Sequence, residues 1–449
     1  MKAIFKILLW VSFVLLIGGC AGGRLQITKA QMPLRSFEDI PQKDISIARV
    51  KQELREGHFD SVKRVLDVIS KEGYENEIEI HMYRGILYYY QNRLQSALNE
   101  FEKSLNLLVP TVEQAIQKDL YENAGYLYYD LNDYKKAAVY LRKCKELGGE
   151  VEEADIEFFE KFQGTPYRIE TQDQRANLKM DYKGIPIVKG SINGSKELSF
   201  IVDTGAQMTV LSSEMANKLK IKPLVSGSKG AGAGGEFSVD LGVIDSLRLG
   251  DVIVRNVPVT IIDSKELTFK LFGLLTIFKI DGVIGLPLLK QFDVTFDYKG
   301  KRLILDIPQK TEEPSSFEGN FYLVRDKIML PVGINGIEGF TFMLDTGGGG
   351  DHASITPEGL EELKDQQLKI SEQLGGSWGA GGGGVKKIKD VKDVSLRMCG
   401  FDIRNVDLRV DKDPIKDKLI EIDGFIENMI LENFKVKMDF RKMQITLVD

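Results

Sequence analysis

The chain has 449 residues, a formal net charge of -6, 43% apolar and 28% charged residues. That balance is globular, excludes wholesale disorder and suits two to four domains of roughly 150 residues each. A pI of about 5.5 argues against a nucleic-acid partner, and three cysteines exclude a disulfide scaffold. Three histidines leave little for a zinc site, so neither a metal nor a cofactor is expected.

Lys2 and Lys6 give a positive start, and an apolar run follows from Ile7 to Ile17. The run is shorter than the roughly 20 residues a membrane span takes, and it fits the hydrophobic region of a secretory signal. It closes in Ile17-Gly18-Gly19-Cys20, which resembles a bacterial lipobox. The resemblance implies a signal peptide over 1–19, lipidation of Cys20, and a lipidated tether over 20–42. The competing reading is an uncleaved signal anchor with an incidental cysteine. Ala21 rather than Asp follows Cys20, and by the same resemblance this implies a cell-envelope lipoprotein at the outer membrane, facing the periplasm.

Residues 43–165 show helical periodicity with little Gly/Pro punctuation. Three stretches look alike: Gly57-His58-Phe59-Asp60-Ser61-Val62, Asn92-Arg93-Leu94-Gln95-Ser96-Ala97 and Asn132-Asp133-Tyr134-Lys135-Lys136-Ala137. Val62 and Ala97 are 35 residues apart, Ala97 and Ala137 are 40 apart, and Gly85 and Tyr89 return as Gly125 and Tyr129. Helix–turn–helix units of this period resemble tetratricopeptide repeats. The resemblance implies a concave surface for a protein partner; a helical spacer is the other reading. Gly85, Ala97, Gly125 and Ala137 would let paired helices approach closely. His58 and His81 lack a second His or Cys at ligand spacing and read as structural. Cys144 and Cys399 read as small buried hydrophobes, with a bridge between them the alternative.

From residue 176 onward short alternating apolar runs are broken by Gly, Asn and Asp, the pattern of an all-β segment. Phe200-Ile201-Val202-Asp203-Thr204-Gly205-Ala206 returns as Phe342-Met343-Leu344-Asp345-Thr346-Gly347-Gly348, 142 positions on. Ile192-Asn193-Gly194 returns as Ile334-Asn335-Gly336, Asp281-Gly282-Val283-Ile284 as Asp423-Gly424-Phe425-Ile426, and Asp297 as Asp439, at the same spacing. Two homologous lobes follow, 176–309 and 320–449, joined by a Pro/Glu/Ser linker over 310–319. A hydrophobic strand running into Asp-Thr-Gly puts a carboxylate on a tight turn. Two such loops on pseudo-twofold lobes would bring Asp203 and Asp345 face to face. Carboxylates that close cannot both ionise and share a proton. One then acts as general base on water, while the other polarises a peptide carbonyl.

These residues resemble pepsin/retropepsin-type aspartic peptidases, over about 270 residues and including the supporting element Val283-Ile284-Gly285. The resemblance implies two retropepsin-like lobes around a cleft that takes an extended polypeptide substrate. Asp203 and Asp345 would be catalytic, with Thr204, Gly205, Ala206, Thr346, Gly347 and Gly348 shaping the loops. A Gly-rich stretch in each lobe, including Gly232, Gly234 and Gly235 in one and Trp378 and Gly379 in the other, resembles the flaps of retroviral proteases, with a flexible surface loop the other reading. Two features depart from the pattern. Gly348 stands where Ala, Ser or Thr is usual, and Glu427 replaces the expected Gly under the second loop, where a charge is costly unless paired or turned outward. They leave open an inactive peptide-binding scaffold that docks partners through cleft and repeats. Neither Ala206 nor Gly348 has a hydroxyl to stabilise a charged carboxylate, so a dyad pKa above that of a pepsin and a mildly acidic to neutral optimum are expected.

Overall fold

The computed structural model describes residues 7–8, 12–13, 25–30, 45–72, 77–171, 174–232, 235–271, 275–309, 312–349, 353–379, 382–411 and 417–448. Cys20, Gly234 and most of the expected signal and tether lie outside the described residues. No described helix is long and apolar enough to cross a membrane.

Among the described residues, seven helices precede the two lobes: α1 (Ile47–Arg55), α2 (Phe59–Glu72), α3 (Glu77–Tyr90), α4 (Leu94–Asn106), α5 (Gln114–Asp130), α6 (Tyr134–Glu146) and α7 (Glu153–Lys161). The α3/α4 and α5/α6 turns have the same construction. Asn92 and Asn132 adopt left-handed backbone, at φ 54° and 59°, and the next residue's N–H closes on a tyrosine carbonyl. Gly85 lies flat against Phe101 and Gly125 against Leu141, each 2.6 Å from where a Cβ would stand, so the helices of each pair meet at their small residues.

The helices do not stand off the rest of the chain. Residues of α1 to α5 share a core with Tyr322, Met329, Met343 and Phe425 of lobe two. Residues of α5 to α7 share another with Val225 and Leu241 of lobe one. An apolar helical face buried this way contributes to one body.

Each lobe is a twisted β structure with Asp-Thr-Gly at the end of a central strand. In lobe one Leu198–Val202 runs parallel to Gly282–Ile284; in lobe two Ile337–Leu344 runs parallel to Gly424–Ile426. The lobes join in a continuous sheet. Asp293–Asp297 pairs antiparallel with Lys435–Asp439, Val294 opposite Met438 and Phe296 opposite Val436. Each lobe also gains an edge strand from upstream. Arg168–Glu170 adds to Val252–Ile262, and Gln26–Lys29 adds to Phe401–Val410. The second of these falls within the expected tether. The alternation Gln26-Ile27-Thr28-Lys29 turns Ile27 onto the lobe-two core and its neighbours to solvent, which makes the segment a strand.

Cys144 and Cys399 are free thiols, and burial pushes each up to about 12. Cys144 packs onto Gly149 within the helical segment, and Cys399 occupies a lobe-two turn at φ 47°.

Candidate active site

Strand pairing fixes both loops. The Asp203 N–H donates to the Ile284 carbonyl at 3.0 Å and the Asp345 N–H to that of Ile426 at 2.9 Å. The next element thus lies directly beneath each loop. A Cβ on Gly285 would stand 2.7 Å from the Ala206 carbonyl and collide with that of Met208, so this position needs glycine.

The two threonines lock the loops across the lobe boundary. Thr204 Oγ1 accepts from the Thr346 N–H at 3.0 Å and donates to the Leu344 carbonyl at 2.9 Å. Thr346 Oγ1 accepts from the Thr204 N–H at 3.0 Å and donates to the Val202 carbonyl at 2.9 Å. Four fully buried hydrogen bonds leave the two loops little freedom to slide past each other.

Asp203 and Asp345 are both buried. Each inner oxygen accepts two backbone N–H groups of its own loop. Asp203 Oδ1 takes Gly205 at 2.7 Å and Ala206 at 3.2 Å; Asp345 Oδ1 takes Gly347 at 2.8 Å and Gly348 at 3.0 Å. Each outer oxygen, Oδ2, receives no hydrogen bond from a described donor. The glycines admit the opposite carboxylate. A Cβ on Gly205 would lie 2.8 Å from Asp345 Cγ, and one on Gly347 would collide with the Asp203 carboxyl. Burial pushes both groups up, Asp345 to about 6 against the loop N–H groups that favour its charge. Asp203 goes well above the usual carboxylate range, through burial first and the Asp345 charge next. Two buried carboxyls this close cannot both ionise freely, so the pair shares a proton.

Glu427 is buried, and its side chain lies over Gly348, whose missing Cβ would stand 2.7 Å from Glu427 Cγ. Lobe one has Ala206 and Gly285 at the corresponding positions, so the two lobes exchange which partner carries the side chain. That exchange accounts for both departures seen in the sequence. Asn428 does a further job that sequence reasoning missed. Its Nδ2 donates to the Thr346 and Gly348 carbonyls, both at 2.7 Å, and its Oδ1 accepts from Tyr298 Oη at 2.7 Å. A signal existed. The repeat partners of Asn428 and Tyr298 are the apolar Leu286 and Phe440, so both positions turn polar together.

The two Gly-rich stretches are the ends of long hairpins, Pro223–Gly232 with Gly235–Leu249 and Lys369–Gly379 with Gly382–Met398. Gly232 pairs with Gly235, Trp378 with Gly383 and Gly379 with Gly382. The outer edges of these hairpins carry further chain. Ile7–Leu8 adds parallel at Gly230–Ala231, and Ser12–Phe13 adds antiparallel at Trp378–Gly379.

Among the described residues one group has metal-ligand spacing, Glu53, Glu56 and His58. It lies where the helices meet lobe two, with His58 Nδ1 3.1 Å from Glu53 and 3.3 Å from Glu56. The hydrogen bond to Glu53, together with both acidic charges, raises the His58 pKa.

Residues 188–288 match the aspartyl protease family model, a span that contains the first Asp-Thr-Gly loop and Val283-Ile284-Gly285. No curated protein matches the chain. Among solved structures, a retropepsin-like aspartic protease from Rickettsia conorii is similar at 22% identity, over 31% of this chain and 94% of that one, with a TM-score of 0.22. The chain carries an aspartic peptidase domain, and an aspartic-type hydrolase is the class of enzyme the match supports.

Proposed function

We propose that the chain is an aspartic endopeptidase acting through an Asp203/Asp345 dyad shared by its own two lobes. The observation that carries this is the cross-lobe threonine lock, which opposes two buried carboxylates and leaves their outer oxygens without donors. Water held between those oxygens loses a proton to the ionised carboxylate of the pair as it attacks the peptide carbonyl. Its protonated partner keeps its proton and donates a hydrogen bond to the carbonyl oxygen as negative charge develops there. The tetrahedral intermediate collapses when the amine nitrogen takes up the proton gained from water, and the dyad returns to its starting state. The chemistry draws only on groups of this chain and one water.

The hairpins act as flaps in this reading. Short extended pieces of the chain's own N-terminal region add to their edges as strands, the mode in which a substrate backbone would bind. The repeated turns at Asn92 and Asn132 support the tetratricopeptide-like assignment of the helical pairs, whose exposed face is offered to a protein partner. The lipobox-like Cys20 supports anchorage in the cell envelope, with the peptidase facing the periplasm.

The test is cleavage of an unstructured protein from pH 3 to 8 by the chain from residue 21, beside Asp203→Asn and Asp345→Asn, with and without pepstatin. The dyad predicts cleavage by the parent, inhibition by pepstatin and loss of at least about 10³-fold in either variant. A folded parent that binds peptides and cuts none would instead make the cleft a peptide-binding scaffold.

A further inference from the structure

In lobe two the turn before the strand Ile328–Ile334 reads Arg325-Asp326-Lys327, and all three side chains are largely buried. Its counterpart in lobe one, Lys183-Gly184-Ile185, carries no such set. Asp326 meets Lys290 of lobe one at 2.8 Å, and Lys290 also pairs with Asp130 at the end of α5. One ammonium thus ties together the helical segment, lobe one and lobe two, with about a tenth of each side chain exposed. Asp130 is itself fixed by Tyr89 Oη at 2.6 Å. Beside it, Arg325 lies 3.5 Å over the Tyr126 ring and pairs with Glu122 at 3.3 Å, two more contacts to α5.

Both sides of this knot lead to the dyad. Lys290 ends the short helix Leu286–Leu289, which begins at Gly285 beneath the first loop, where the Leu286 N–H bonds the Ala206 carbonyl at 2.9 Å. Asp326 opens the strand that pairs with Ile337–Leu344, the strand running into Asp345. We infer that the helical segment is an obligatory clamp of the peptidase, and that Lys290 is the positioning residue through which it sets the alignment of the two catalytic loops. A charge held between two buried carboxylates, one on the helical segment and one on lobe two, resists sliding of lobe one against either, because displacement leaves a buried carboxylate without its counter-ion. The inference rests on the peptidase reading for its kinetic consequence and on the geometry alone for its structural one.

The experiment compares the full chain with Lys290→Arg and with the triple variant Asp130→Asn/Lys290→Met/Asp326→Asn, which removes the charges together and leaves no unpaired ion. Three properties are read: the thermal transition, the pH–rate profile, and hydrogen exchange at the Thr204 and Thr346 amides. The triple variant is expected to fold, to lose about 100-fold in kcat with little change in KM, and to shift the acid limb of its profile, since sharing a proton needs opposed carboxyls. Its Thr204 and Thr346 amides should exchange at least tenfold faster, and Lys290→Arg should restore all three properties. A folded triple variant with parental exchange at those amides overturns the clamp. Faster exchange in a chain that never cleaves peptide sustains the clamp and removes the peptidase reading instead. If the triple variant does not fold, exchange in Lys290→Arg decides: parental protection supports the clamp, and accelerated exchange in a normally folded, normally active variant refutes it.

Discussion

Replacing Gly348 by Ala tests how the second loop differs from the first. Gly348 does not have left-handed backbone, so the cost of the change is steric. The new Cβ would stand 2.7, 2.8 and 2.9 Å from Glu427 Cγ, Cδ and Oε2. Comfortable contact lies at about 3.5–4.0 Å, so Glu427 or the loop has to give by nearly 1 Å in a buried place. Overpacking of this kind costs about 1–3 kcal/mol. At roughly 2–4 °C per kcal/mol for a lobe-sized unit, the transition should fall by several degrees. Because the Gly348 N–H bonds Asp345 Oδ1 at 3.0 Å, kcat should fall as well, by about tenfold or more. Glu427→Ala removes the atoms in the way, so the double variant Gly348→Ala/Glu427→Ala should recover at least about 1 kcal/mol relative to additivity. Thermal unfolding of the four proteins, with kcat measured on each, completes the cycle. Additive effects, or a harmless Gly348→Ala, would refute the idea that the two lobes exchanged the side chain between these positions.

Activity should decline as pH falls through about 6, where Asp345 gains a second proton for the pair, and should be best near neutrality; a profile peaking near pH 2 would contradict the buried dyad. Asp345 has a folded-state pKa raised to about 6, so its contribution to stability is complete below about pH 4 and is lost as pH rises through 6, and Asp203 is shifted in the same direction. Melting temperatures of the parent and Asp345→Asn from pH 4 to 8 should therefore diverge, with the parent losing ground as pH rises. Thr204→Val should leave the Thr346 N–H and the Leu344 carbonyl buried and unpaired, at about 1–3 kcal/mol each, whereas Thr204→Ser should be close to neutral; chemical denaturation separates the two. Asn428→Leu restores the residue of the first lobe and removes two bonds to the second loop, so kcat should fall with KM nearly unchanged in steady-state assays. A chain starting at Ser46 should melt lower than one starting at Gly22, because it lacks the strand Gln26–Lys29 and uncovers the edge of Phe401–Val410.

Much of the site is local chemistry, and local chemistry is legible. Asp-Thr-Gly at the end of a hydrophobic strand, repeated at a constant spacing, names both acids, and the linker between the copies divides the lobes. The same repeat would have exposed Asn428 and Tyr298, had each position been compared with its partner. Glu427 was visible as a misfit, but its resolution was not. Nothing along the chain says that its side chain fills the space above Gly348, because that contact joins residues 79 positions apart through the packing of a strand beneath a loop.

Two lobes, a repeated Asp-Thr-Gly carboxylate and paired helices upstream are all written along the chain, since each follows from periodicity, from a repeat, or from residue types that suit one turn. How those parts meet one another depends on packing. Packing threaded residues 26–29 into the second lobe, where a short polar segment finds an open strand edge. It set the helices against both lobes, so that Asp130, Lys290 and Asp326 meet in one buried charge group although they come from three separate regions. Such contacts leave no periodic trace. A buried charge is stable only beside its partner, and which residue becomes that partner depends on how whole elements pack, not on spacing along the chain.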